Sequence, residues 1–329
     1  YLNGEFAITI LMKNDNSNII YVLRAKKPDE NWIHHLIQIE DLPKFDIDLC
    51  FCYCYFMNNV YVILFKCHNC GDVERGFVIL YGPNFSTLKM NKKFCYKSET
   101  NYLPQIAYGN GKWAISMVQY NITNKIFKSL IYVSDDINSL SPDSKDYNLL
   151  LQWGEKEKGF YPTQFVYSGG KWVIIGLNII GSDSNVCVYW IKDDPLFSIN
   201  TITFDEYDLD YYQNLYYLNG AFYFIAENKS DHTVYLFYST DQNLAKENWK
   251  LIQVCNSNIK GNIKRDLHGI KNVYSLSCNE QRNCLFAVIR KYDNDSKFIV
   301  ACYTPGSSHR LPKIDPVAGI KTYIKSNEK

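Results

Sequence analysis

The hydrophobic positions of this chain gather into short β-branched and aromatic runs, and the polar positions between them include recurrent tight-turn signals. Four turns are plain: Leu2-Asn3-Gly4-Glu5-Phe6, Gly109-Asn110-Gly111-Lys112-Trp113, Ser168-Gly169-Gly170-Lys171-Trp172 and Leu218-Asn219-Gly220-Ala221-Phe222. Two are degenerate, at Asn58-Asn59-Val60-Tyr61 and Asn283-Cys284-Leu285-Phe286. Asn-Gly and Gly-Gly supply the positive φ of a two-residue hairpin, so each turn predicts two antiparallel strands around it. Before the turn run Gln105 to Tyr108, Gln164 to Tyr167 and Asn214 to Tyr217; after it run Trp113 to Met117, Trp172 to Gly176 and Phe222 to Ile225. A third run follows in every unit, at Ile19 to Leu23, Phe77 to Tyr81, Leu130 to Val133, Val186 to Trp190, Val234 to Tyr238 and Phe298 to Tyr303. A shorter fourth appears at Leu36 to Ile39, Thr201 to Phe204 and Leu251 to Val254.

Aligned on Gly4, Asn59, Gly111, Gly170, Gly220 and Asn283, the turns recur every 50 to 63 residues (Gly170 to Gly220 and Gly220 to Asn283 being the extremes). Several strands per unit at such a period predict a propeller rather than a helical solenoid. The expected fold is all-β: one six-bladed β-propeller of four-stranded antiparallel blades over residues 1–329, with blades at about 1–45, 46–98, 99–158, 159–208, 209–264 and 265–329. The first blade lacks its innermost strand at the N-terminus. Ala318 to Ile324 is the segment expected to complete it, closing the ring and removing exposed edges.

Large residues return at fixed offsets. A tyrosine closes each third run (Tyr21, Tyr81, Tyr132, Tyr189, Tyr238, Tyr303), and an aromatic follows each turn (Phe6, Tyr61, Trp113, Trp172, Phe222 and, slipped by one, Phe286). Sheets that bury both faces need such residues for packing, so these aromatics are read as core.

Tyr238-Ser239-Thr240-Asp241 followed by Asn248-Trp249 resembles the Asp-box hairpin of sialidase-like propellers, with Ser134-Asp135-Asp136 a weaker echo. Residues 29–39 match the tail of the fifth unit, 246–254, and the Gly-Lys-Trp turns are similar to those of such repeats. The resemblance covers most of the chain as a pattern, with no complete Asp-box. It implies the fold, because an Asp-box is a hairpin device and not a site. Sialidase activity in that family needs an arginine triad. This chain has six arginines (Arg24, Arg75, Arg265, Arg282, Arg290, Arg310) and no early Arg-Ile-Pro element, so that activity is not expected.

Composition narrows the partners. The chain is 47% hydrophobic and 16% aromatic, which excludes wholesale disorder. Its 35 basic and 34 acidic side chains nearly cancel, so no electrostatic footprint for nucleic acid is present. No apolar run has the length of a membrane-spanning helix, and membrane insertion is not expected. No glycine-rich phosphate loop and no Gly-x-Ser-x-Gly occurs, and no cofactor is expected. Sequons at Asn84, Asn121, Asn228 and Asn294 predict an extracellular glycoprotein.

The candidate binding residues lie just upstream of the turns. Nine residues before the turn glycine stand Tyr102, Tyr161 and Tyr211; six before it stand Gln105, Gln164 and Asn214. Trp153, Phe160, Tyr212 and Asp210 are placed in the loops leading into the innermost strands. Tyrosines beside amides suit recognition of a protein or a sugar, although repeating residues can equally close the end of each blade. Acidic residues in the same loops (Asp46, Asp48, Asp205, Glu206, Asp208) are read as solvated; a glycosidase would need two carboxylates about 5–10 Å apart.

Eleven cysteines leave at least one unpaired. Cys67-His68-Asn69-Cys70 is placed in a loop, as a disulfide within itself or to a neighbour. Cys278 and Cys284 flank a turn they could staple. No metal site is expected, since the Cys-x-x-Cys lacks two further ligands. No catalytic residue is assigned.

The function expected from these features is a secreted, non-catalytic recognition module that binds a protein partner on one propeller face, within an extracellular scaffold or adhesin. A lectin-like carbohydrate binder is the alternative, with a glycoside hydrolase behind it. If the C-terminal segment closes the first blade, a chain ending near Ile314 will melt well below the full-length chain in a thermal scan. An unchanged midpoint would remove that segment from the fold.

Overall fold

The computed structural model describes residues 2–14, 17–26, 31–37, 52–70, 73–91, 100–121, 123–141, 147–154, 159–180, 183–192, 199–204, 206–207, 209–228, 230, 234–255, 273–279, 284–290 and 298–303. Among these, the regular structure is β-strand apart from two single 3-10 turns, Ile137–Ser139 and Lys246–Asn248. The strands form antiparallel sheets in which neighbours in space are neighbours in sequence.

The first sheet holds β1 (Phe6–Asn14), β2 (Ser17–Ala25) and β3 (Ile33–Ile37). The second holds β4 (Cys52–Met57), β5 (Val60–Cys70), β6 (Val73–Gly82) and β7 (Lys89–Asn91). The third holds β8 (Thr100–Gly109), β9 (Lys112–Asn121), β10 (Ile126–Ser134) and β11 (Tyr147–Gly154). The fourth holds β12 (Gly159–Ser168), β13 (Lys171–Ile180), β14 (Asp183–Lys192) and β15 (Ile199–Thr203). The fifth holds β16 (Leu209–Leu218), β17 (Ala221–Asn228), β18 (Val234–Ser239) and β19 (Lys250–Cys255); the sixth holds β20 (Val273–Asn279), β21 (Cys284–Arg290) and β22 (Phe298–Tyr303). The fourth strands β7 and β11 carry no signal that the hydrophobic pattern had singled out. The segment expected to complete the first blade lies outside the described residues.

The turn between the first two strands of a repeat has the predicted geometry. Both central residues are left-handed at Asn3/Gly4, Asn58/Asn59, Asn110/Gly111, Gly169/Gly170 and Asn219/Gly220. Paired positive φ angles match the right-handed twist of the flanking strands. Asn283 lies outside the described residues. Next to the turn, the register places an aromatic on each strand face to face: Phe56 with Tyr61, Tyr108 with Trp113, Tyr167 with Trp172 and Tyr217 with Phe222. Their ring centroids are 4.7, 4.9, 4.9 and 4.8 Å apart. The near-identity of four separations shows one packing unit used repeatedly, with edge and tilted geometries that suit the ring quadrupoles.

Contacts divide the chain into two compact units, 1–183 with 190–199 and 184–189 with 200–329. In the first unit the second sheet is buried on both faces. Val62, Leu64, Phe77 and Ile79 face Ile106, Trp113, Ile115, Met117 and Leu130 of the third sheet. Tyr61, Ile63, Phe65, Val78 and Leu80 face Ile20, Val22 and Ile37 of the first sheet. Alternation of period two explains the division: Leu64 pairs with Ile79 on one side, Ile63 with Leu80 on the other. The third and fourth sheets approach so closely at Gly109 that an added Cβ would overlap the Tyr167 side chain. In the second unit, Phe224 and Phe237 pair across β17 and β18 with rings 4.6 Å apart, and Phe204 packs edge-on against Phe237 and Trp249.

The turns between third and fourth strands share a different device. Asp241 accepts from the backbone N–H of Asn243 and of Ala245, each at 2.9 Å, and its own N–H donates to the Ser239 hydroxyl at 3.2 Å. Asp136 and Ser134 repeat this, with Asn138 N–H donating at 3.2 Å. Asn84 holds the corresponding place in the second sheet, accepting from Ser86 N–H at 3.0 Å. The Asp-box likeness of Asp241 and Asp136 thus reflects a side chain that satisfies turn amides.

Asn91, fully buried on β7, donates from Nδ2 to the carbonyls of Ile137 and Leu140 at 2.8 and 3.1 Å, joining the second sheet to the 3-10 turn of the third. Replacing it by Ala removes both donors and leaves buried carbonyls without these partners. Asn91→Ala should therefore cost about 1–3 kcal/mol. The check is the shift in denaturant midpoint against an exposed control such as Lys89→Ala, which should move it by less than about 0.5 kcal/mol.

Candidate functional site

Gln105, Gln164 and Asn214 lie in strands as expected, and the positions expected in the loops leading into those strands fall within strands too. Tyr102 and Gln105 lie on β8, Phe160, Tyr161 and Gln164 on β12, and Asp210, Tyr211, Tyr212 and Asn214 on β16. Trp153 lies on β11, the fourth strand of the third sheet, opposite Phe127. It is corrected from a lead-in residue to an outer-strand residue. Tyr102, Trp153 and Tyr161 belong to the first unit; the β16 residues belong to the second.

A feature absent from the sequence reading recurs at these positions. The first strand of a sheet pairs regularly near the turn and then breaks register upstream: between Tyr102 and Gln105, between Pro162 and Gln164, between Asp210 and Gln213, and between Val273 and Ser275. An extra residue in one strand bends it and re-aims what lies beyond. The break depends on how one strand counts against its neighbour, so no single run of residues announces it.

Burial separates the candidates. Phe160 is completely buried, and its carbonyl accepts from the buried Ser129 hydroxyl of the neighbouring sheet. It is a packing residue and is withdrawn as a ligand contact. Gln105 is 3% exposed, with Oε1 accepting from the Tyr55 hydroxyl at 2.9 Å. Its role is to hold Tyr55. Gln164 is half-buried.

Tyr55 and its neighbour Tyr53 are the residues the sequence reading missed. They stand two apart on β4, so they share a face, and their rings stack at 6.3 Å with an interplanar angle of 28°. Tyr53 is 37% exposed, among the largest apolar surfaces left open on the described residues. The signal was available: Tyr53 precedes Asn59 by six residues, the offset of Gln105, Gln164 and Asn214 from their turn glycines. The degenerate Asn-Asn turn hid it. Together, Tyr53, Tyr55 and Gln105 make a stepped aromatic ledge with its inner ring fixed by a buried amide.

Several other polar groups among the described residues are committed to structure. Arg24 on β2 donates from Nη1 to Glu5 at 2.9 Å and from Nε to Nε2 of His35 at 3.1 Å, and its guanidinium lies 5.4 Å from the centroid of the Phe85 ring. The histidine pair on β3 is therefore asymmetric: His34 is exposed, and His35 is held by Arg24. Cys54 on β4 has its thiol pushed up to about 12, chiefly by burial. Neither Cys54 nor Cys187 is in a disulfide, and Cys187 is fully buried.

The cysteine tetrapeptide 67–70 is not a loop. β5 runs through Cys70, with Cys67 opposite Gly76 and Cys70 opposite Val73. Three residues of extended chain separate two Cα atoms by about 10 Å, beyond the roughly 7 Å a disulfide spans, so a Cys67–Cys70 bridge does not fit this strand. Cys278 pairs with Leu285 and Cys284 with Asn279, one register position apart. Among the described residues no group of three or more His, Cys, Asp or Glu side chains is arranged to hold a metal. Asp46, Asp48, Asp205 and Asp208 lie outside the described residues, and Glu206 pairs with Lys246 at 2.7 Å.

No family model matches this chain, and no curated protein matches it. Solved structures do. A GH32 β-fructofuranosidase of Bombyx mori is 11% identical over 93% of this chain and 61% of its own, with a TM-score of 0.41. Trypanosoma rangeli sialidase is 7% identical over 92% of this chain and 52% of its own, with a TM-score of 0.49. The catalytic domain of a Coprinopsis cinerea GH62 α-L-arabinofuranosidase is 10% identical over 79% of this chain and 87% of its own, with a TM-score of 0.42. This chain spans about three-fifths of the length of the silkworm enzyme. The likeness is one of fold, and it includes the sialidase-like propellers. The expected protein-binding module is corrected on the same comparisons: these structures are described as carbohydrate-acting enzymes, and none of them as a protein-binding scaffold.

The Arg24 cluster gives a pH dependence with a definite sign. His35 is held below the ordinary histidine value, first by burial and then by the Arg24 charge, with Glu5 opposing. A depressed folded-state value means that folding favours the neutral ring. That stability is complete above about pH 6.5 and is lost as pH falls through the folded-state value. His35→Gln keeps a neutral acceptor without a titrating ring. Its melting temperature should fall less steeply than that of the parent between about pH 7 and pH 5; parallel curves would exclude His35 as the source.

Proposed function

We propose that this chain is a carbohydrate-binding β-propeller, its sheets arranged as six blades of one ring, with a neutral sugar stacking on the Tyr53–Tyr55 ledge. The observation that carries this reading is the ledge itself. Tyr53 is 37% exposed, its ring stacks on that of Tyr55, and Gln105 holds Tyr55 through its hydroxyl. A pyranose offers a matching surface, with an apolar face of C–H groups rimmed by hydroxyls. A tyrosine binds such a surface with few rotors to freeze.

Stacking on tyrosine needs no charged partner, so the reading names a neutral sugar. Arg24, the arginine whose side chain is described, is engaged with Glu5 and His35 rather than presented to a ligand. The fold likeness selects no ligand; the ledge is what supports a carbohydrate.

A glycan array probed with the full-length chain tests the reading. Binding should concentrate on neutral pyranosides. Tyr53→Ala should weaken it about tenfold, in line with about 1.4 kcal/mol for a lost stacking contact. Tyr55→Phe, which keeps the ring and frees Gln105, should weaken it less. Absence of signal, or full binding by a folded Tyr53→Ala variant, would overturn the proposal.

A further inference from the structure

Three sequon asparagines fall among the described residues, and all three adopt the same local geometry. Asn84 Oδ1 accepts from the backbone N–H of Ser86 at 3.0 Å. Asn121 Oδ1 accepts from Thr123 N–H at 3.0 Å, and Asn228 Oδ1 from Ser230 N–H at 2.8 Å. In each case the donor is the third residue of the sequon, the one whose hydroxyl defines it. The turn engages the amide oxygen of asparagine, while glycosylation takes place at its nitrogen.

We propose that Asn84, Asn121 and Asn228 are N-glycan acceptors, which places the chain in an extracellular or luminal compartment. Asn84 carries the case most completely. It is exposed at the turn between β6 and β7, whereas the next residue, Phe85, is 4% exposed and packs 4.3 Å from the Tyr61 ring. The turn is thereby pinned by Phe85 while its asparagine stays in solvent. A hydrogen bond on the amide oxygen also polarises the amide and makes the nitrogen's protons more acidic. That favours the reaction required: Nδ2 forms a bond to the anomeric carbon of a lipid-pyrophosphate-linked oligosaccharide and gives up one proton. The carbon–oxygen bond to the pyrophosphate breaks, and the lipid pyrophosphate leaves with its electron pair.

The register sets where the glycans stand. Asn121 ends β9 beside the start of β8, where Thr100 pairs with Tyr120. Asn228 ends β17 opposite Leu209, the first residue of β16. Each glycan would rise at the end of its sheet where the first strand begins. The Asn84 glycan would rise from a turn between third and fourth strands, at the opposite end of its own sheet. Surface turns of this kind accommodate a bulky hydrophilic group without cost to a core.

The test is secretion of the full-length chain from eukaryotic cells behind a cleavable leader. Peptide mapping follows, after peptide-N-glycosidase treatment in heavy-oxygen water. Deamidation with label at Asn84, Asn121 and Asn228 is the expected result. Ser86→Ala, Thr123→Ala and Ser230→Ala should each remove one glycan from the intact mass. These substitutions delete the hydroxyl and keep the backbone N–H on which the turn depends, so the melting temperature should hold. If one variant is not secreted, the map of the parent chain still decides its site. A secreted parent chain of unmodified mass, or one labelled only at Asn294, would overturn the proposal.

Discussion

The structure depends on a cross-strand aromatic pair locked beside a left-handed turn. A hairpin alone is marginal, and a two-residue turn fixes register only if something penalises slippage. Here a one-residue slip would separate Tyr108 from Trp113, or Tyr167 from Trp172, and send the larger ring to the wrong face. The turn residues make the conformation accessible, and the rings make it the only one that packs. Once the first two strands are fixed, the third and fourth inherit their register by pairing outwards.

That inheritance explains the two-sided core. Because the register of β5 and β6 is fixed, Leu64 and Ile79 are committed to one neighbouring sheet, and Ile63 and Leu80 to the other. A single sheet therefore belongs to two cores at once. Among the described residues, polar links stand where sheets meet. Asn91 bridges to the Ile137 turn, and Tyr55 to Gln105. Each satisfies groups that close packing would otherwise strand away from water.

Much of this is legible from the residues. Asn-Gly and Gly-Gly name their own φ angles, and an aromatic after the turn predicts a buried ring, as Trp113 and Trp172 are. What escapes is whatever depends on a partner strand. The register breaks in β8, β12 and β16 are relations between two strands, so Tyr102 and Asp210 read as loop residues when they are strand residues. The Cys67 to Cys70 segment looks like a loop because its polar residues interrupt a hydrophobic run, yet pairing with β6 extends the strand through it. Phe160 reads as a lead-in loop residue and is sealed by its neighbours. Tyr53 was reachable, but only by trusting the spacing over the spelling of the turn.

The register breaks divide the leading strands β8, β12, β16 and β20 into two regimes. On the turn side, residues are counted rigidly against their partners. Beyond the break, an extra residue has already been absorbed, so a further insertion or deletion there would not propagate to the aromatic pair. Such a strand behaves like a spliced cable: tension on one side of the splice is not felt on the other. Sequence at the far end can then drift in length as well as in identity while the scaffold stays in step. A lineage carrying this fold could exchange what the sheet end presents without having to solve the folding problem again.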